Sequence, residues 1–355
     1  MQATRAQLNL LKRLTEAVGV SGDEGAVRAL VRCEIEGHAD RIEVDPLGNV
    51  LAFRSGKGPG RPRVMVAAHM DEVGMMIVGA DAEGLLRFEA VGGLAVSHLA
   101  GKPVWLGQER VPGVIGMPPV HLVGREAESR EIGLDELRID IGAETKEAAL
   151  ERVRPGTWAT FATPFTRLGP TLRAKALDDR LGVAVLIELV RQPPEDIDLL
   201  AVFTVQEELG ARGARAAAFH LDPDLAIALD ATPARDLPTW DGEENTQYNS
   251  RVGAGPAIYV ADRATISDPR LLELFQATAR EEGIPYQLRQ PGGGGTDAGA
   301  IHRSRLGVPS ISVSVPVRYA HSPASIASVS DWRATARLAW AALSRLGGAF
   351  GSHSK

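Results

Sequence analysis

Two histidines and six carboxylates stand at places where a chain could do chemistry. His69 and Asp71 fall in AHMDEVG, Asp178 and Asp179 in KALDDRLG, Glu207 and Glu208 in QEELG, Asp230 in ALDAT, and His321 in RYAHSP. Taken singly, each has a plain structural role. A lone histidine is usually satisfied by its neighbours, Asp178-Asp179 reads as a helix cap with a dipole-matching acid, and Glu207-Glu208 as a solvated pair. Taken together they follow predicted strands, where ligands collect in an open α/β sheet. So many carboxylates around one crevice would repel one another, and a cation relieves that repulsion. A histidine–carboxylate donor set suits zinc, cobalt or manganese better than calcium or magnesium, and there are donors enough for two ions. Neighbouring side chains on an extended chain point opposite ways. One of Asp178/Asp179 and one of Glu207/Glu208 are therefore expected to ligate. The remaining glutamate is left to act on a water acidified by the ions, which is metal-assisted hydrolysis of a carbonyl compound. Asp71 sits two residues from His69, where a carboxylate can orient the imidazole.

These residues need a frame. The 355 residues suffice for one large domain or two smaller ones, and 44% hydrophobic with 24% charged residues is ordinary globular usage. A net charge of −6 argues against a nucleic-acid surface, and a single cysteine, Cys33, excludes an internal disulfide framework and a multi-cysteine zinc site. The apolar runs around residues 183–187 and 199–205 fall short of the ~20 residues a membrane span needs. The opening MQATRAQLNLLKRL is amphipathic and charged rather than secretory. A soluble, cytoplasmic protein is expected, with no membrane or nucleic-acid partner.

Hydrophobic spacing predicts two helices in the first 40 residues, with Ser21 or Asp23 capping the second, and then strands at 42–44, 49–53 and 64–68. From about 74 to 162 the texture changes to short β-type runs separated by Gly and Pro, the mark of a small barrel or sandwich. Afterwards helix and strand alternate: helices at 179–191, 211–220, 268–282, 297–305 and 332–346, and strands at 199–205, 225–229, 257–260, 286–288 and 310–315. The expected fold class is α/β, a mostly parallel sheet flanked by helices with an inserted small β-barrel. The expected organisation is a catalytic domain in two parts, 1–73 and 163–355, interrupted by a β-rich insert over 74–162. Residues 233–250 form the longest expected loop, and loops of that length are often functional.

In this order AHMDEVG, KALDDRLG, QEELGARGA, ALDAT, PGGGGTDAGAI and RYAHSP resemble the glutamyl or tetrahedral (deblocking) aminopeptidase family, over nearly the whole chain. These are dinuclear metallopeptidases of the co-catalytic zinc exopeptidase clan. The resemblance implies one metal held by His69 and Asp230 and the other by Glu208 and His321, with Asp178 bridging. It makes Glu207 the general base, passing a proton to the leaving amine, and Asp71 the residue orienting His69. It also implies a cis peptide between the two aspartates, and two divalent ions per subunit, zinc first, with cobalt or manganese as alternatives. Gly293, Gly294, Gly295 and Thr296 would flank the cleft for a peptide substrate, glycine letting backbone N–H groups approach closely. The run lacks both the P-loop ending and the GxGxxG spacing. The insert would be a dimerisation domain, and dimers of this kind commonly assemble into a twelve-subunit tetrahedron. One departure stands out: Ser325 occupies a position after HSP where the family often has glutamate. If the 233–250 loop lines the pocket, Asp241, Glu243 and Glu244 would disfavour acidic substrates. The rival readings are a carboxypeptidase or N-acyl amino-acid deacylase of the same clan, and a non-catalytic metal-bound assembly protein.

Overall fold

The computed structural model describes residues 2–117, 132–237 and 249–350. The acids Asp241, Glu243 and Glu244 of the long loop lie outside the described residues.

Helices α1 (Arg5–Glu16) and α2 (Gly25–Ile35) lead into strands β1 (Arg41–Val44), β2 (Val50–Arg54) and β3 (Arg63–His69). Thr4 caps α1 through a reciprocal bond with Gln7. Neither Ser21 nor Asp23 caps α2; its N-cap is Glu24, without a side-chain cap bond. Ser21 is drawn instead into a tertiary bond at the site, described below.

Strands β4 (Gly74–Ala80), β5 (Leu86–Val91), β6 (Pro103–Leu106), β7 (Val111–Gly116), β8 (Arg138–Asp140) and β9 (Trp158–Phe161) close into a barrel in the order β4-β5-β8-β7-β6-β9. Helix α3 (Lys146–Arg152) packs beside it. Met75, Ile77, Phe88, Val104, Ile115 and Phe161 fill a core of its own. Closure leaves no free edge there, which is how a short-stranded insert avoids unpaired backbone.

The remaining strands form one large sheet. These are β10 (Thr166–Leu168), β11 (Thr171–Ala174), β12 (Asp198–Thr204), β13 (Leu225–Pro233), β14 (Ala257–Tyr259), β15 (Gln287–Arg289), β16 (Ser310–Arg318) and β17 (Ser325–Ser328), together with β1 to β3. The centre, β12-β3-β13-β16, is parallel, and antiparallel pairs extend both margins. Side chains alternate across it. Val64, Val66 and Ala68 of β3 join the core shared with α1, α2, α4 (Leu177–Arg191), α6 (Pro269–Glu281) and α8 (Val329–Leu343). Met65 and Ala67 face the opposite layer, built on α5 (Arg212–Leu221) and α7 (Ala298–Ile301). A short α9 (Leu346–Ala349) ends the described chain.

Two further expectations are corrected. Strands β13 and β16 run further than the sequence suggested, pairing Asp230 with Ser314 and Thr232 with Pro316, so Asp230 lies inside its strand. The helix expected over 297–305 is only four residues long. Beyond it Ser304 N bonds to Ile301 O and Gly307 N to Ser304 O, so the chain continues in turns.

Candidate active site

The parallel centre explains why distant motifs meet. β12, β3, β13 and β16 are adjacent, and their carboxyl ends release their following residues at one edge. His69 ends β3 opposite Thr204 of β12, which places Glu207 and Glu208 just beyond. Ala176, Gln206, Tyr319 and His321 all adopt left-handed backbone beside the functional positions. Such conformations cost about 1–3 kcal/mol each outside glycine and cluster where the surroundings fix a site.

Asp178 stands at the centre. Its Oδ1 lies 3.1 Å from His69 Nε2, and its Oδ2 lies 3.6 Å from His321 Nε2. His69 Nε2 is also 3.7 Å from Asp230 Oδ1, and His321 Nε2 is 3.3 Å from Glu208 Oε2. Each imidazole turns its other nitrogen to a main-chain oxygen: His69 Nδ1 to Asp71 O at 3.2 Å, and His321 Nδ1 to Gly93 O at 3.0 Å. Those contacts place the ring proton on Nδ1 and leave an Nε2 lone pair facing carboxylate oxygens. Two sets of lone pairs confront one another unless a proton or a metal ion lies between them. His69, Asp178 and Glu208 each offer a donor atom within 4.8 Å of the others, and so do His69, Asp179 and Asp230. Both groups share His69, so the donor set fits a divalent cation beside that imidazole.

The peptide between Asp178 and Asp179 is cis. Asp179 Oδ1 accepts the amide of Gly182 at 2.9 Å, whereas its buried Oδ2 has no hydrogen-bond partner among the described residues. Asp71 does more than face His69. It accepts the Ser21 hydroxyl at 2.6 Å and the amides of Glu207 and Glu208 at 3.0 and 3.2 Å. One buried carboxylate thereby ties the α1–α2 connection, the His69 strand and the glutamate pair together.

Charge is unbalanced throughout. Burial, reinforced by Asp230, Asp297 and Glu208, holds Glu207 well above the usual carboxylate range, with His69 pulling the other way. Burial and the charge of Asp178 do the same to Glu208. Asp230 is pushed up to about 7 by burial, and Asp297 to about 6. Burial would lower His69, but its bonds to Asp178, Asp230 and Asp71 raise it well above the ordinary imidazole value.

All of this opens on a cavity of about 680 Å³. His69, Asp178, Glu207, Glu208, Asp230 and His321 line it, as do Gly293, Gly294, Gly295 and Thr296. The Thr296 hydroxyl is engaged with Ser312 at 2.7 Å, so that residue offers the cavity little polarity. Asp71 and Asp179 stand behind the wall. Ser325, in place of a glutamate, donates to Tyr319 O at 3.1 Å and braces the His321 loop.

Sequence reasoning missed a deeper layer. Glu72 is 2% exposed and takes Lys175 Nζ on both oxygens at 2.7 and 2.8 Å. It also takes Arg180 at 3.4 Å, the Thr160 hydroxyl at 3.1 Å and the Gly19 amide at 3.1 Å. Lys175 and Arg180 flank Asp178 and Asp179, and Glu72 adjoins Asp71, so this ion cluster pins both halves of the site. Only the position of Glu72 inside AHMDEVG hinted at it. Asp297 was read as a helix start; it is buried and accepts the Thr204 hydroxyl at 2.5 Å.

The profile of M42 glutamyl aminopeptidases matches residues 48–338. The chain belongs to the M42 glutamyl aminopeptidase family. Within reach of this M42 chain, the lysyl aminopeptidase of Pyrococcus furiosus is 37% identical over 346 residues, covering 95% of this chain and 96% of its own. Among solved structures, a TET aminopeptidase from a marine-sediment Thaumarchaeota archaeon superposes with a TM-score of 0.91 at 35% identity, covering 96% of each chain. The TET1 peptidase of Pyrococcus horikoshii, which can assemble into a tetrahedron or a large octahedral shell, gives 0.82 at 35% identity, over 94% of this chain and 98% of that one. These likenesses favour neither a carboxypeptidase or deacylase nor a non-catalytic assembly protein.

Proposed function

We infer that this crevice is the catalytic centre of a metal-dependent aminopeptidase, which removes residues from the N-termini of peptides. The observation that carries the reading is the Asp178 carboxylate, with one oxygen toward His69 and the other toward His321, beside Glu207, whose side chain makes no hydrogen bond among the described residues, in the same cavity. His69 and Asp230 would hold one divalent ion and Glu208 and His321 a second, with Asp178 between. The mixed donor set suits zinc, and cobalt or manganese would also fit. Bound there, such ions polarise a carbonyl and bring the pKa of water from ~15.7 towards ~7.

The chain's own residues do the rest. Glu207 takes a proton from the attacking water on its carboxylate and delivers it to the nitrogen of the leaving amine. Asp71 keeps the His69 ring in place and anchors the Glu207 and Glu208 amides. The backbone at Gly293, Gly294 and Gly295, with Thr296, forms the wall against which the substrate's main chain lies. The partners are peptides and further copies of this chain. Self-association runs through the barrel insert, to a dimer and on to a tetrahedral dodecamer; the shells formed by the Pyrococcus horikoshii TET1 peptidase support this. The domain division follows the same lines: 1–73 and 163–355 catalytic, 74–162 for pairing. No helix among the described residues is long and apolar enough to cross a membrane, and the lone Cys33 agrees with a cytoplasmic setting.

The test is hydrolysis by metal-reconstituted protein of matched peptides with a free or an acetylated N-terminus. Cleavage of the free-amine peptide alone is expected. Cleavage of only the acetylated one would overturn the reading.

A further inference from the structure

A second basin, of about 750 Å³, adjoins the catalytic cavity. Arg212 and Arg215 of α5 line it together with Arg303 and Arg305, which follow α7, and among the described residues no aspartate or glutamate lines it. All four arginines are exposed. In a chain of net charge −6 this concentration of positive charge runs against the average.

Most of that charge is not neutralised internally. Arg212 reaches the side-chain oxygen of Gln206 at 3.3 Å, and Arg303 the main-chain oxygen of Gly299 at 2.7 Å. Arg305 donates to Phe219 O at 2.7 Å, lies over the Phe219 ring at 4.4 Å and comes no nearer than 3.6 Å to Asp222. Among the described residues Arg215 has no side-chain hydrogen bond or ion pair. Like charges gathered in one open groove repel, and an anionic ligand relieves them.

The basin is continuous with the site. Gly210, Ala300 and Arg303 line both cavities. Gly210 lies two residues beyond Glu208 at φ +101°, and a Cβ there would meet nothing within 4 Å. A low saddle therefore leads from the glutamate pair into the arginine basin. A peptide whose first residue sits beside His69 must lead its remaining length out of the crevice, and this saddle is a path for it.

We propose that the basin is a docking subsite for the downstream stretch of the substrate, selecting peptides with acidic side chains a few residues beyond the bond cut. Arg212, Arg215 and Arg305 receive the carboxylates, and the exposed Phe219 ring packs on their aliphatic stems. The proposal rests on the aminopeptidase reading and adds a substrate class to it. Continuity with the catalytic cavity favours a peptide over a nucleic acid as the anion.

Two peptides with the same N-terminal residue, one continuing in glutamates and one in alanines, provide the test. An exposed ion pair contributes up to about fivefold, so two such contacts predict a kcat/KM ratio of roughly ten in favour of the acidic peptide at low salt. The ratio should fall towards one in ~1 M salt, and also in the Arg212→Glu/Arg215→Glu double variant. Arg215→Gln, a milder change, should give an intermediate ratio. Equal kcat/KM for the two peptides, or a ratio unmoved in these variants, would overturn the subsite. So would an oligonucleotide competitor that binds more tightly than the acidic peptide. If neither peptide is cut, the aminopeptidase reading fails, and the subsite is judged by fluorescence anisotropy of an acetylated, labelled glutamate peptide. Binding lost in the double variant supports the basin, and binding unchanged refutes it.

Discussion

Replacing Glu72 by glutamine removes one charge and almost no volume from beneath the catalytic wall. In the native chain that carboxylate faces Lys175, 3% exposed, and Arg180, fully buried. Glutamine leaves both cations among main-chain oxygens: Ala17 O for Lys175 and Leu14 O for Arg180. Breaking a buried pair on one side costs about 3–5 kcal/mol. With an unfolding entropy near 2.1 cal/mol/K per residue, a chain this long should lose roughly 4–7 °C in Tm. The deficit has a pH signature. Burial, partly offset by Glu72, lowers Lys175 from 10.5 to about 8. Between those values the unfolded chain holds the proton and the folded chain does not, so this group makes stability rise with pH. Without Glu72 the amine falls further, and relief begins at lower pH. The gap between variant and parent should therefore narrow between pH 6 and pH 8. Circular-dichroism melts of metal-reconstituted protein at those two pH values would decide it. A loss of under about 1 °C, or a gap that does not change with pH, would refute the account of Glu72 as the counter-charge to two buried cations.

Glu207→Gln should lower kcat by about 10²–10⁴-fold, the usual worth of a general base, while calorimetric metal titration stays as in the parent; full turnover would remove Glu207 from its role. Chelated protein should lose stability as pH rises from about 4 to 7, because Asp230 is held at about 7 when folded and ionises near 3.8 when unfolded. Thermal melts across that range should show the decline, and added zinc should reverse it. The His69 side chain is 3% exposed and that of His321 42%, so the ion on the His321 side should leave first, giving two phases in stopped-flow chelation; a single phase would count against unequal sites. Ser325→Ala removes one part-buried hydrogen bond, about 1 kcal/mol, and should weaken that outer ion roughly fivefold by titration.

The central frame was readable because parallel strands buried on both faces leave apolar runs, and because their exits carry the unusual residues. His69 at the end of its strand, and Glu207, Glu208 and His321 just beyond adjacent ones, stand where they do for that reason. Asp230 was recognised but misplaced by a few positions, since nothing local marks where a strand stops if its neighbour continues. Ser21 misled for a related cause. A serine ahead of a helix is a good cap by local rules, but Asp71 offered it a stronger, buried partner fifty residues away. The Glu72–Lys175–Arg180 cluster has no short-range signature, because its members are joined only by tertiary packing. The arginine basin is equally silent in sequence: Arg212 and Arg215 read as an ordinary solvated helix face until α7 and its following turns bring Arg303 and Arg305 alongside.

The bond between His321 and Gly93 crosses from the sheet framework to the inserted barrel. A side chain at residue 93 would press on the ring, since a Cβ there would stand 3.0 Å from Nδ1. The barrel is thus no detachable ornament. Excising it for a minimal enzyme would free that imidazole to rotate and to swap tautomers, and a short linker could restore the chain path without restoring the carbonyl. Any motion of the barrel, such as one transmitted from a neighbouring copy, would reach the reaction chamber through this acceptor oxygen as well as through the Thr160 bond to Glu72 beneath the wall.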